Sequence, residues 1–126
     1  MDQDVTVSEW VVVLRFHVTA DGVEQFRDEA RAAAHLLEGS AGCDGVQVAR
    51  ASDDPSLWLL ITRWRSVGSY RRALSSYDVK LNAVPFLSRA IDEPTAFEVL
   101  FAKDAIGERE VSGDLAGDAE TVDRSR

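Results

Sequence analysis

Apolar and polar positions recur along this chain with two different periods, and the changes from one to the other mark its elements. From Glu9 to Val18, EWVVVLRFHV, the period is two. Trp10, Val12, Leu14, Phe16 and Val18 share one face, and Val11, Val13, Arg15 and His17 share the other, which predicts a first strand. The period then lengthens: Val23, Phe26, Ala30, Ala33 and Leu37 recur at spacings of three and four, as the buried stripe of a helix does. Asp21 and Glu24 are spaced like a capping box at its start, and Gly39 suits its C-terminal stop. The turn-rich GSAGCDG leads to a second strand, Val46 to Ala51, and Asp53-Asp54-Pro55-Ser56 forms the loop to a third.

That third strand, LWLLITRW from Leu57 to Trp64, is apolar on both faces. Trp58, Leu60, Thr62 and Trp64 alternate with Leu57, Leu59, Ile61 and Arg63, so each side needs a cover. Ser66 follows as the N-cap of a helix whose predicted buried stripe is Val67, Tyr70, Leu74 and Tyr77. Pro85 suits the first turn of a short helix, Pro85 to Ile91, because the N–H it lacks would have no helical partner there. A last strand is expected from Thr95 to Phe101. Beyond Lys103 the composition shifts to Gly, Asp, Glu, Ala and Ser, which predicts a disordered or loosely held acidic tail over 103–126; residues 1–8 are expected to be flexible.

The order β-α-β-β-α-β over residues 9–102 predicts an α+β fold: a ferredoxin-like antiparallel sheet with its helices on one face. Helices cover only one side of such a sheet. The apolar residues on the other side, from the first and third strands, call for a second copy of the sheet, so a homodimer forming a dimeric α+β barrel is expected.

Composition narrows the function classes. A formal net charge of −8 with a sequence pI near 4.7 argues against nucleic acid, whose phosphates are met by clustered Lys and Arg. The longest apolar runs are too short to span a membrane, and the acidic start MDQDVTVSEW does not read as a secretory signal. With Cys43 as its single cysteine, the chain has no internal disulfide framework. A cytoplasmic location is expected.

Familiar catalytic signatures are missing. His17 and His35 lie eighteen residues apart, no His-Glu-x-x-His or Cys-x-x-Cys spacing occurs, and GSAGC lacks the Lys of a phosphate loop. Neither a metal nor a cofactor is expected. A nucleophilic role for Cys43 is set against the commoner fate of a free cysteine, inert packing.

The strand VVVLRFHV, the GCDG turn, the third strand LLITRW followed by RS, the helix carrying Tyr70 and the closing EPTAFEVL together resemble the antibiotic biosynthesis monooxygenase domains, across Val11 to about Leu100. The TRW-x-S junction is the most specific of these. The resemblance implies a dimeric α+β barrel with a pocket between sheet and helices, where a small aromatic or polyketide-type substrate reacts with dioxygen without metal or flavin. A deprotonated phenol or enol supplies an electron to oxygen itself, so the protein need only bind, deprotonate and exclude water.

The family Trp at the end of the third strand corresponds to Trp64, and its pocket Tyr to Tyr70. Trp64 would wall the substrate and offer its indole N–H, and the Tyr70 hydroxyl would hydrogen-bond a developing oxyanion. His17 is the candidate general base. Arg72, in a cluster with Arg63, Arg65 and Arg71, is a candidate for holding an anionic substrate, with Phe16, Leu60 and Phe86 as substrate contacts. Core packing accounts for the aromatic residues equally well, and ordinary ion pairing accounts for the arginines.

Two departures bear on function. Polyketide-oxidising members carry an Asn four residues before the Trp, where this chain has Leu60. Haem-degrading members use a His after the Trp, and this chain has no His beyond His35, which disfavours haem degradation. The leading expectation is a cofactor-independent monooxygenase. The alternative is a non-catalytic dimeric module that binds a small hydrophobic ligand.

Overall fold

The structure, a computed structural model, describes residues 9–111. They fall into two compact units, Glu9–Glu98 and a small unit whose described part is 99–111. The expectations for residues 1–8 and for 112–126 lie outside the described residues.

In the larger unit the elements are β1 (Trp10–His17), α1 (Val23–Glu38), β2 (Cys43–Arg50), β3 (Leu57–Trp64), α2 (Val67–Ser75), α3 (Tyr77–Asn82), α4 (Val84–Leu87) and β4 (Ala96–Glu98). The strands form one antiparallel sheet in the order β2-β3-β1-β4, the α+β ferredoxin-like arrangement that the order of elements predicts. β1 and β3 pair in unbroken register from Trp10 opposite Trp64 to His17 opposite Leu57. Facing residues share a side of the sheet, so Trp10, Val12, Leu14 and Phe16 join Trp64, Thr62, Leu60 and Trp58 beneath the helices.

The core sits there. Val12, Phe16, Trp58, Leu60 and Trp64 are buried with Phe26, Ala30, Ala33 and Leu37 of α1, Val79 of α3, Phe86 and Leu87 of α4, and Ala83 between those two helices. Ala30 and Ala33 have almost no exposed surface, since α1 lies so close to the sheet that a methyl fills the gap. The opposite side carries Val11, Val13, Leu57, Leu59 and Ile61, all only partly buried, with Phe97 exposed beside them.

Several elements differ from the sequence reading. Asp21 does not cap α1. It lies in a 3₁₀ turn, Ala20–Gly22, where its carboxylate accepts from the Thr19 hydroxyl at 2.7 Å, and Gly22 holds the cap position without a side-chain bond. β2 starts at Cys43, three residues earlier than expected, because a bulge between Cys43 and Gly45 lets the turn residues join the ladder.

The helix after Ser66 is broken rather than continuous. Ser76 turns extended (φ −68°, ψ 152°), which ends α2 and rotates α3, so Tyr77 is 78% exposed and Val79 takes the inward position. The helix after Pro85 is short and stops at Leu87; Ile91 is instead tied to β1 by its N–H donating to the Arg15 carbonyl.

The last strand is also split. β4 ends at Glu98, and the smaller unit forms its own hairpin, β5 (Phe101–Asp104) with β6 (Gly107–Glu110). Chain order therefore persists beyond Lys103. Its turn is closed by Asp104, whose carboxylate accepts from the Ile106 and Gly107 amides and from the Arg109 guanidinium.

Candidate functional site

Where β3 runs into α2, three local features fix the backbone. The Ser66 hydroxyl caps α2 by accepting from the Ser69 N–H at 3.1 Å. The Arg65 N–H donates to the Gly42 carbonyl at 2.8 Å, which ties the strand end to the turn before β2. Gly42 has φ +88°, and a Cβ there would lie 2.3 Å from Ser69 Oγ, so this close approach of turn and helix needs glycine.

The junction aims Tyr70, one turn into α2, back at Trp64. Their ring centroids are 5.3 Å apart with planes inclined at 52°. Trp64 has no exposed surface, and its indole N–H donates to the Thr62 hydroxyl at 2.7 Å. Tyr70 is half-buried, and burial pushes its phenol pKa above the usual value. It is therefore a protonated donor at neutral pH, and no hydrogen bond among the described residues engages its hydroxyl.

The other expected site residues are not gathered around this pair. Leu60 is completely buried in the core. Phe16 stacks on Phe86 at 5.0 Å and meets Phe26 edge-on at 5.2 Å, in an aromatic cluster that also includes Trp58. Phe16 pairs with Trp58, six residues before Trp64, which places this cluster roughly 20 Å along the sheet from Trp64.

His17 pairs with Leu57 on the side away from the helices and is exposed, so the sheet separates it from Tyr70. Arg72 is exposed on α2, with a guanidinium N–H 3.4 Å from Ser69 Oγ. Cys43 is partly buried, its thiol directed to the Gly45 carbonyl, and burial raises its pKa away from the thiolate. Among the described residues no group of three His, Cys, Asp or Glu side chains is placed to hold a metal ion. No helix among them is long and apolar enough to cross a membrane.

A further feature lies between α1 and the edge strand β2. A groove of about 570 Å³ is floored by Val46 and Val48 and walled by Arg27, Arg31 and His35 of α1 and Arg50 of β2, with Trp58 behind. The spacing of four between Arg27, Arg31 and His35 is visible in the sequence as one helix face. Its meeting with Arg50 is not, because that depends on the pairing of Arg50 with Trp58.

The sequence model of the family described as antibiotic biosynthesis monooxygenase matches residues 10–81. No curated protein matches the chain. Among solved structures, a conserved protein from Methanosarcina mazei is similar with 20% identity and a TM-score of 0.59, over 75% of this chain and 93% of that one. A protein from Mycobacterium tuberculosis is similar with 19% identity and a TM-score of 0.60, over 78% and 99%. SnoaB, a cofactor-independent oxygenase from Streptomyces nogalater, is similar with 20% identity and a TM-score of 0.57, over 72% and 88%. At such identities the structural likeness speaks for the fold.

Proposed function

Because the chain belongs to the antibiotic biosynthesis monooxygenase family, we propose that it is a cofactor-independent monooxygenase that oxidises a small aromatic or polyketide-type phenol with dioxygen. The observation that carries this reading is Tyr70: a half-buried phenol, held protonated, packed on a fully buried Trp64 and left without a partner among the described residues. Such a donor hydrogen-bonds a phenolate or enolate oxygen and stabilises the charge that builds on it. The printed description of SnoaB as a cofactor-independent oxygenase supports the same chemistry.

In that chemistry the deprotonated substrate passes an electron to dioxygen and the two recombine at a ring carbon. Loss of water then leaves a quinone, so each phenol consumes one dioxygen and releases one water. Trp64, fully buried and with its N–H committed to Thr62, backs the Tyr70 ring and fixes its position rather than touching the substrate. His17 is not the base in this reading, because it lies on the other side of the sheet. The substrate's own acidity, raised by the Tyr70 hydrogen bond, carries that role. The active protein is a homodimer, closed over the apolar side of the sheet.

The test is oxygen uptake with a panel of di- and trihydroxy aromatic compounds, comparing the unmodified protein with Tyr70→Phe. Uptake with at least one compound, reduced on the order of 10²-fold by the substitution, is expected. A second reading, a binding module without turnover, is favoured by Leu60, a fully buried apolar side chain that offers a substrate no polar contact from its position on β3. Ligand binding without uptake across the whole panel would establish it.

A further inference from the structure

In an acidic chain, the groove between α1 and β2 is out of character. Arg50 places its guanidinium 5.2 Å from the centre of the Trp58 ring, and Arg27 places its own 6.0 Å from the same centre. Neither arginine is ion-paired among the described residues, although the chain carries 22 Asp and Glu against 14 Lys and Arg. Arg31 and His35 add to the same wall. Arg31 has only a long, exposed contact of 3.9 Å with Asp28, and the single acid on the groove is Glu38.

Trp58 explains how this is built. Trp58 is only 4% exposed and its N–H is taken by the Pro55 carbonyl, so what it offers the groove is the π surface near which the guanidiniums sit. Two guanidiniums that both line the groove are thereby held near one ring, and an anion placed in the groove offsets the repulsion between their like charges. The floor is apolar, with Val48 39% exposed, and about 570 Å³ is a volume suited to a small organic molecule.

We propose that this groove is a binding site for an aromatic carboxylate. The carboxylate sits between Arg27 and Arg50, and the ring lies on Val46 and Val48. The site is separate from the Trp64–Tyr70 pair, and the proposal stands apart from the oxidation reading.

The probe is cinnamate, titrated calorimetrically against the full chain, with cinnamide as its uncharged counterpart. Cinnamate is expected to bind saturably, to shift the amide resonances of residues 46–50, and to bind at least tenfold more tightly than cinnamide. The double variant Arg27→Gln/Arg50→Gln, with circular dichroism and thermal melting like the unmodified protein, is expected to lose at least tenfold in cinnamate affinity. Arg63→Gln, on the other side of the sheet, is expected to bind normally. Absence of saturable binding up to millimolar cinnamate, equal affinity for cinnamide, or a folded double variant that binds as well as the unmodified protein would each overturn the proposal. Should the double variant unfold, Arg50→Lys decides: it keeps charge but loses the planar fork, and undiminished affinity counts against the site.

Discussion

The indole N–H of Trp64 donates to the hydroxyl of Thr62, two residues back on the same face of β3, at 2.7 Å with both residues buried. Neither group has water to fall back on. Thr62→Val keeps the side-chain shape but leaves the N–H unpaired, and is expected to lower stability by about 1–3 kcal/mol in urea unfolding. In a Trp64→Phe background the donor is gone, so the same substitution should cost much less. Equal costs in the two backgrounds would mean that the bond contributes nothing.

Gly42 links this pair to the turn before β2. Gly42→Ala forces an unfavourable positive φ and drives a methyl into Ser69, whose N–H donates to the Ser66 cap of α2. A loss of roughly 1–3 kcal/mol is expected from the backbone alone. The near-ultraviolet circular dichroism of the Trp64–Tyr70 pair should change as well, because the helix start that aims Tyr70 has to shift.

Tyr70 should also set the alkaline limit of stability. Its folded pKa is raised by burial above the ordinary tyrosine value of 10.0, so below that value both states are protonated and the group has no effect. As pH rises past the unfolded value, the unfolded chain loses the proton first, and the folded state is progressively penalised until its own pKa is passed. Tyr70→Phe is therefore expected to flatten the decline in melting temperature above pH 10.0 while leaving its pH dependence near neutrality unchanged. An unaltered alkaline decline would show that burial of this phenol is not what drives it.

The junction that carries these effects was legible because β3 is apolar on both faces and Ser66 is a good cap, two local signals that agree. His17 and Tyr70 illustrate the limit. Alternation alone put His17 on the side of β1 opposite Phe16, but only the register of β1 against β3 set it at the far end of the sheet from Trp64. Arg50 meets Trp58 through a register set by the bulge at Gly45, a cross-strand fact with no trace in local spacing. Tyr77 has the spacing of a buried residue, and its exposure follows from one extended residue, Ser76, that no periodicity marks.

The hairpin of the smaller unit depends on one carboxylate. Asp104 is held at a pKa of about 2 by the Arg109 guanidinium first and then by the Ile106 and Gly107 amides. A depressed pKa of this kind favours the folded turn above the unfolded value of 3.8, and the contribution disappears as pH falls through about 2. Asp104→Ala is expected to speed hydrogen exchange of the Ile106 and Gly107 amides at neutral pH, with no change in the amides of β1 and β3. Unchanged exchange at the turn would mean that other contacts hold it.

The side of the sheet away from the helices gives the sharpest test of assembly. Val13 and Ile61 face each other across β1 and β3, flanked by Val11 and Leu59, and Phe97 next to them is 46% exposed. A contiguous apolar surface of this kind is unfavourable in water, and a second sheet packed about 10 Å away would cover it. Val13→Asp places a carboxylate in the middle of that contact, where pairing of two copies would strip it of water without offering a cation. In a single copy the same carboxylate stays hydrated. The expected result is therefore a dimer for the unmodified protein and a folded monomer for Val13→Asp by sedimentation at micromolar concentration. A Val13→Asp protein that still sediments as a dimer would place the interface elsewhere and leave this face without its cover.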